Sequence, residues 1–207
     1  MRSKIIYLVS AVVIAIATYP NCITAAEKQQ WKGDSFFNKQ SVTIGSDQIN
    51  CYESAKYFIV AKEVKERAGT DFLVKYKFNL KDKFICNYNP VNGDCEIKNE
   101  WAEYFAGLKN DLLVLDSTTG PGPSGLIIWD LKKCKKVYEG SWSDAEESGD
   151  DSLVYWMETG QATHANCPEL ETWQSQGLEA AIETKVMLNL SDFRITKTDQ
   201  TRCSSRQ

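Results

Sequence analysis

The sequence predicts a mostly β fold: a single antiparallel β-sandwich or open barrel, bonded by disulfides, with one short C-terminal helix. Three observations lead to this prediction. Apolar residues occur in short runs or in strict alternation, and such segments fit strands better than helices. The segments between them are rich in Gly, Pro, Asn and Asp, which favour turns. An even number of cysteines follows an N-terminal export signal, as is typical of disulfide-bonded secreted proteins.

The N-terminus predicts a cleavable signal peptide over residues 1–26. Arg2 and Lys4 precede an apolar run over residues 5–17, and small residues at 24–26 form a cleavage site. The apolar run is shorter than the roughly 20 residues that span a bilayer. We therefore predict a secreted or periplasmic protein with no stable membrane insertion after cleavage.

The mature chain is predicted to be one acidic domain. Residues 27–48 are polar and weakly patterned, which favours a flexible N-terminal arm, and residues 49–207 form a single β-rich domain. The formal net charge of the full chain is −4, and removal of the two basic residues of the signal peptide lowers it to about −6. This balance disfavours nucleic acid and an anionic membrane surface as partners, because both attract Lys and Arg.

The first strands of the domain are predicted over residues 57–64 and 71–78. In the second of them apolar residues alternate with Lys75 and Lys77, which indicates one face in the core and one in water. The residues assigned to the core face are Phe72, Val74, Tyr76 and Phe78. A further short strand is predicted over residues 83–88.

Residues 96–108 are compatible with two kinds of structure. One set of apolar residues has helical spacing: Ile97, Trp101, Phe105 and Leu108. The alternation of Trp101, Glu103 and Phe105 instead indicates a strand. The strand is preferred because residues 109–110 would make a hairpin turn into the next apolar run.

The densest apolar runs of the mature chain, at residues 112–115 and 126–129, predict two strands in the middle of the sheet. With a third apolar pattern at 137–138, residues 112–142 are predicted to form a three-strand meander. The pattern resembles the middle strands of a propeller blade over roughly twenty residues. A propeller is not predicted, because such folds need several units and this pattern does not recur.

The segment between the two runs, residues 116–125, contains three glycines and two prolines, which can continue neither strand. It is interpreted as an ordered hairpin loop or, alternatively, as a stiffened binding loop on a rigid scaffold. Trp129 and Trp142 flank the meander, and Trp is a common anchor in recognition. The predicted binding residues are Asp116, Ser117, Thr118, Thr119, Gly120, Gly122, Ser124, Trp129 and Trp142.

The C-terminal third is predicted to contain an acidic solvated loop at 143–152, a strand at 153–157 and a short helix from Pro168 to Gly177. The helix is expected to have two or three turns, with Leu170 and Trp173 directed inward. A terminal hairpin follows over residues 181–197. The residues predicted to share one face of its first strand are Ile182, Thr184, Val186, Leu188 and Leu190. Those predicted for its other face are Glu183, Lys185 and Asn189.

The six cysteines of the mature chain are predicted to form three disulfides. Cys86 and Cys95 bracket a segment of turn residues, so a local bridge between them is expected. Cys167 is then paired with Cys203 across the C-terminal third, which leaves Cys51 for Cys134. A zinc site is not expected, because the chain has no CxxC pair and a single histidine.

The chain shows no recognisable catalytic set. A serine or cysteine nucleophile needs an adjacent base, most often histidine, and His164 stands alone in a polar connector. There is no G-x-S-x-G motif, and the Gly-Pro segment lacks the lysine of a P-loop. The sequence therefore predicts no enzyme activity, no cofactor and no metal.

The function predicted from these features is that of a non-enzymatic extracytoplasmic binding protein. An inhibitor- or immunity-type module that acts on another extracytoplasmic protein fits the disulfides, the acidic charge and the stiff loop. One alternative is a carbohydrate-binding domain or small carbohydrate-active enzyme that uses Asp116 and exposed tryptophans. A second alternative is a structural envelope protein. The predicted partners are thus a protein or a saccharide.

Overall fold

The strands lie in three antiparallel sheets, each built from strands that are consecutive in the sequence. The computed structural model describes residues 38–63, 65–79, 81–118, 122–146 and 151–206. Within these residues strands predominate and there is one short helix, so the predicted mostly β class is confirmed. The predicted signal peptide lies outside the described residues.

The first sheet contains five strands in sequence order. They are β1 (Asn38–Ile44), β2 (Asp47–Glu53), β3 (Tyr57–Glu63), β4 (Thr70–Tyr76) and β5 (Cys95–Ile97). The predicted arm is therefore wrong for residues 38–48, while residues 27–37 lie outside the described residues. The strand β1 escaped prediction because it is an exposed edge strand, held by its backbone pairing with β2 and by a hydrogen bond from Ser41 Oγ to Asn50 Oδ1 (2.6 Å).

The second sheet is the predicted meander with one more strand before it. Its strands are β6 (Glu103–Lys109), β7 (Leu112–Ser117), β8 (Ser124–Asp130) and β9 (Lys135–Trp142). Residues 96–108 contain strand and no helix, as preferred from the sequence, but β5 ends at Ile97 and β6 begins at Glu103 in a different sheet.

The third sheet consists of β10 (Ala145–Glu146), β11 (Ser152–Gln161), β12 (Glu179–Asn189) and β13 (Ile195–Arg206). Between β11 and β12 lies α1 (Leu170–Ser175), which is shorter than expected. Leu170 is buried, Trp173 is half-buried, and Gly177 ends the helix with a φ of 77°. No helix among the described residues is long and apolar enough to cross a bilayer.

The second sheet is packed between the first and the third. Leu113, Leu115 and Ile127 contribute to the core shared with the first sheet. Val114, Leu126 and Ile128 contribute to the core shared with the third sheet. Because both faces are covered, consecutive residues are apolar rather than alternating. The meander thus occurs three times in the architecture although its sequence pattern does not recur.

The alternation of apolar and polar residues in β4 continues into residues whose apolar side chains lie outside the core. Phe72 and Val74 are buried between the first two sheets, as predicted. Tyr76, the last residue of β4, and Phe78 are exposed, whereas Lys77 is buried and its Nζ lies 2.5 Å from Glu53 Oε1. The predicted core positions of Tyr76 and Phe78 are therefore wrong, because β4 ends where the covering sheet ends.

Residues 83–88 are irregular rather than a strand. Phe84, Cys86 and Tyr88 cover the outer face of the first sheet, where Phe84 stacks on Phe58 with ring centroids 5.3 Å apart. Cys86 is bonded to Cys51 of β2 on the same face. The segment is apolar because it packs on the sheet, and not because it pairs with it.

Two of the three predicted disulfides are wrong. The disulfides are Cys51–Cys86, Cys95–Cys134 and Cys167–Cys203, so only the third was predicted correctly. Cys86 belongs to the apolar cluster on the outer face of the first sheet, and Cys95 belongs to the core between the first two sheets. The sheet therefore separates Cys86 from Cys95 despite their short distance in the sequence.

A buried ion cluster lies in the third sheet, around Glu183. This carboxylate is fully buried and accepts hydrogen bonds from Arg202 Nε (2.6 Å) and Arg206 Nη2 (2.7 Å). The Ser143 hydroxyl also donates to it, and Arg202 pairs with Asp144. Arg202, directly opposite on β13, covers Glu183 together with Ser143.

Candidate functional site

The predicted binding residues are divided between the two faces of the second sheet. Neighbouring residues of a strand point to opposite faces. Asp116 faces the third sheet, where its Oδ1 accepts a hydrogen bond from Trp142 Nε1 (2.8 Å). Ser117 faces the other way, and its hydroxyl donates to the carbonyl of Trp101. The residues therefore cannot act as one site.

Asp116 and Trp142 have a structural role. Trp142 is buried in the core between the second and third sheets, with its ring edge-on to Tyr155 at 6.3 Å. Ser124 is also buried and lies opposite Trp142 in the strand register. Since Trp142 and Ser124 are buried, they are not available for recognition, and Asp116 is held by its hydrogen bond with Trp142.

An exposed tryptophan lies beside the loop, but it is Trp101 rather than Trp129 or Trp142. Its side chain is 75 % exposed. In the sequence, Trp101 belongs to the apolar pattern of residues 96–108, and it fits both helical spacing and strand alternation. The polar pair Asn99-Glu100 just before it indicates a turn, but a turn signal does not specify which neighbouring side chain is exposed.

The buried residue Asn99 holds the backbone next to Trp101 through hydrogen bonds. The Asn99 side chain donates to the carbonyl of Ala68 (2.7 Å) and accepts from the backbone N–H of Glu103 (3.0 Å). Its own backbone N–H donates to Asp71 Oδ1 (2.9 Å). Gly69 packs against Asn99 so closely that a Cβ there would lie 2.4 Å from the amide.

Glu103 and β7 hold the same turn from its other side. The buried Glu103 carboxylate accepts the backbone N–H groups of Glu100 (2.8 Å) and Trp101 (2.9 Å). Ala102 has a φ of 52°, a conformation that is uncommon for a residue other than glycine. Its carbonyl accepts the N–H of Thr118 (3.3 Å). The exposed indole is thus attached to a backbone with little freedom.

Trp101 borders an open groove that runs over the end of the second sheet. We call this the Trp101 groove and define it by Glu100, Trp101, Ser117, Thr118, Lys136 and Glu139. Lys136 Nζ lies 2.9 Å from Glu139 and 3.8 Å from Glu100. The hydrogen bond with Glu139 raises the pKa of Lys136. With two carboxylates and one ammonium on its rim, the groove has a negative balance that suits a basic ligand.

Of the remaining predicted residues, Trp129 lies near the groove but does not form it. Trp129 is half-buried against the core between the first two sheets and lines a small void beneath the groove, with Glu103 and Lys136. Gly122 has a φ of 125°, which suits a turn. Thr119 and Gly120 lie outside the described residues.

Among the described residues, the group of side chains that could together ligate a metal is Cys167, Glu169 and Cys203. The two sulfurs are joined in a disulfide, so they cannot act as thiolates. His164 is exposed in the connector before Cys167. Within the described part of the chain, we therefore take the Trp101 groove as the candidate functional site.

Replacement of Asn99 by Ala is expected to destabilise the turn under Trp101. The variant would leave the N–H of Glu103 and the carbonyl of Ala68 without their partner, at a cost of about 2–3 kcal/mol. Urea unfolding of the oxidised protein would measure this cost. An unchanged free energy of unfolding would show that the turn does not depend on Asn99.

Comparisons with known proteins give no match to any family model, curated protein or solved structure.

Proposed function

We propose that this protein is a secreted or periplasmic, non-enzymatic binding protein that acts on another extracytoplasmic protein, as an inhibitor- or immunity-type module. The observation that carries this proposal is the exposed indole of Trp101 on a hydrogen-bonded turn. Tryptophan is among the residues that contribute most to protein interfaces. A fixed backbone lowers the ordering cost that binding otherwise entails.

The location of such a protein follows from its disulfides. Three disulfides indicate an oxidising compartment outside the cytoplasm. The N-terminal basic and apolar pattern supports export through a signal peptide that is cleaved after residue 26. The partner would meet the protein in the same compartment.

The charges around Trp101 specify the chemistry of the partner surface. Glu100 and Glu139 are well exposed, and they share the single Lys136 of the rim. A Lys or Arg side chain of the partner could lie on the indole face and contact these carboxylates. We therefore propose a partner that presents a basic residue within an otherwise apolar contact.

Trp101→Ala is expected to weaken binding of the captured partner about 30-fold, the effect of removing an interface residue that contributes about 2 kcal/mol. Affinity capture with the mature, oxidised protein from its extracellular or periplasmic milieu would supply the partner, and calorimetry would give the Kd. Met187→Ala in the third sheet is the matched control, since Met187 is also exposed and lies on another sheet. Equal affinities for wild type and Trp101→Ala would refute the proposed site.

A saccharide is the second candidate ligand. An exposed indole beside the Ser117 and Thr118 segment and the carboxylate of Glu139 also suits a sugar ring, which stacks on its apolar face and hydrogen-bonds at its edge. A saccharide array separates the two candidates. Sugar-dependent quenching of tryptophan fluorescence that is lost in Trp101→Ala would favour the saccharide.

A further inference from the structure

A second exposed apolar area lies at the end of β4, far from the Trp101 groove. Phe78 is 89 % exposed and is in edge-on contact with the exposed Tyr76, at 5.4 Å between ring centroids. Both line an open concavity with Phe84 and the exposed Val91. We call this the Phe78 surface and define it by Tyr76, Phe78, Lys81, Lys83, Phe84 and Val91.

Contacts of the neighbouring residues keep the side chain of Phe78 exposed. Asp82 Oδ2 accepts the backbone N–H groups of Phe78 (2.8 Å) and Asn79 (3.0 Å), which fixes the turn after β4. On the preceding residue, the side chain of Lys77 is directed inward to Glu53. Because a fixed backbone presents the ring to solvent, the surface has the form expected of an interaction site.

The charges next to this surface are basic, in contrast to the chain as a whole. Lys75 and Lys77 are neutralised by Asp94 (2.6 Å) and Glu53 (2.5 Å). Lys81 and Lys83 are exposed and form no ion pair with any described residue. Two ammonium groups and the Asp82 carboxylate therefore lie beside the exposed phenylalanine, which leaves an excess of one positive charge.

The basic character continues onto the neighbouring turns. Tyr76 contacts Tyr57, whose hydroxyl donates to Asp111 Oδ1 (2.9 Å). The same carboxylate binds both Lys56 (3.1 Å) and Lys132 (2.7 Å). One carboxylate between two lysines leaves an excess positive charge at this end of the first two sheets.

We propose that the Phe78 surface binds an anionic phospholipid membrane. Phe78 and Val91 would enter the boundary between headgroups and acyl chains, while Lys81 and Lys83 would reach lipid phosphates. Each lysine near an anionic leaflet adds attraction that salt screens. The negative net charge argued against such a partner at the level of the sequence, but the local charges at this end of the molecule are positive.

Membrane binding through the Phe78 surface would leave the Trp101 groove free. The groove lies where β7 ends and β8 begins, at Ser117 and Gly125. The Phe78 surface lies next to Asp111 and Lys132, in the turns at the opposite end of these strands. A membrane bound at one end would therefore present the groove to the aqueous phase, and the two sites are independent.

Co-sedimentation of the mature, oxidised protein with vesicles tests the proposal. Binding is expected to phosphatidylcholine vesicles that contain about 30 % phosphatidylglycerol, to fall at about 0.5 M NaCl, and to be absent with phosphatidylcholine alone. Phe78→Ser is expected to lower the partition coefficient about tenfold. The double variant Lys81→Glu/Lys83→Glu is expected to lower it at least about tenfold.

Two matched control variants test whether vesicle binding depends on the Phe78 surface, and not on exposed apolar side chains or lysines in general. Ile44→Ser removes an exposed apolar side chain from the end of β1, and Lys197→Glu reverses an exposed lysine of β13. Both variants should bind vesicles like the wild type, and so should Trp101→Ala. A loss in the controls equal to that in the Phe78 surface variants would overturn the proposal.

A reporter variant tests insertion directly. Phe78→Trp keeps an aromatic ring at an exposed position, and its emission should shift to shorter wavelength with anionic vesicles and be quenched by brominated lipids. The emission of the wild type is subtracted from that of Phe78→Trp. If the remaining emission is the same with and without vesicles, the proposal is overturned. Retention on immobilised polyglutamate without vesicle binding would also overturn it, in favour of an acidic protein partner.

Discussion

Glu183→Ala is expected to lower the free energy of unfolding by about 3–5 kcal/mol, the cost of leaving buried charges without their partner. Arg202 and Arg206 would lose the carboxylate that both contact, and Arg206 is itself largely buried. Urea unfolding would measure the loss. Glu158→Ala is the control, because Glu158 is half-exposed and lies 3.6 Å from Arg206, so its removal should cost at most about 1 kcal/mol.

The same cluster should make stability depend on pH. Burial raises the pKa of Glu183, but hydrogen bonds from Ser143, Arg202 and Arg206 outweigh it and hold the pKa below its usual 4.5. A carboxyl with a lowered pKa in the folded state contributes stability above its unfolded pKa. That contribution is lost as the pH falls through the folded value.

Unfolding measured at a series of pH values would test this linkage. The wild type should lose stability as the pH falls below about 4.5. Glu183→Gln should lose less over the same interval, because it has no proton to bind at this position. Parallel pH profiles for the two proteins would show that Glu183 does not contribute to the acid sensitivity.

Removal of the Cys95–Cys134 disulfide by a double Ala variant is expected to cost about 4 kcal/mol, from the chain-entropy relation for a loop of this length. The bond closes a separation of 39 residues. It joins the three-residue strand β5 to the turn before β9, and thus the first sheet to the second. Thermal unfolding would measure the loss, and hydrogen exchange should show that β5 loses protection.

The Cys167–Cys203 double Ala variant is the matched control for this experiment. Its separation of 36 residues is similar, so the entropic cost should be similar. Protection of β5 should remain, because this bond lies in the C-terminal third. Non-reducing peptide mapping with cleavage before Asp94 separates Cys86 from Cys95, and a peptide joining these two cysteines would contradict the disulfides described here.

The elements that could be predicted are those whose signal is local. The meander over residues 112–142 was correct, because its apolar runs and turns lie within a few residues of each other. The hairpin of β12 and β13 was correct for the same reason. The strand β1 was missed because a polar edge strand has no buried face. Its pairing with β2 is made by the backbone and does not require an apolar pattern of side chains.

The candidate site was predicted in part. Ser117 and Thr118 do lie at the groove, as expected of residues next to the Gly-Pro segment. Asp116 and Trp142 are on the other face of the sheet, and they bind each other. Trp101 was missed because its exposure depends on where the first sheet ends and the second begins, which no local pattern specifies.

The sequence by itself determined the mostly β class and the order of the strands in the central meander. These properties follow from turn chemistry and short-range apolar pattern. Only the tertiary structure decided which side chains are covered: it buried Glu183, exposed Phe78 and Trp101, and placed Cys86 and Cys95 on opposite sides of a sheet. The physical reason is that burial depends on how far each sheet extends over its neighbour, and the residues in contact there are distant in the chain.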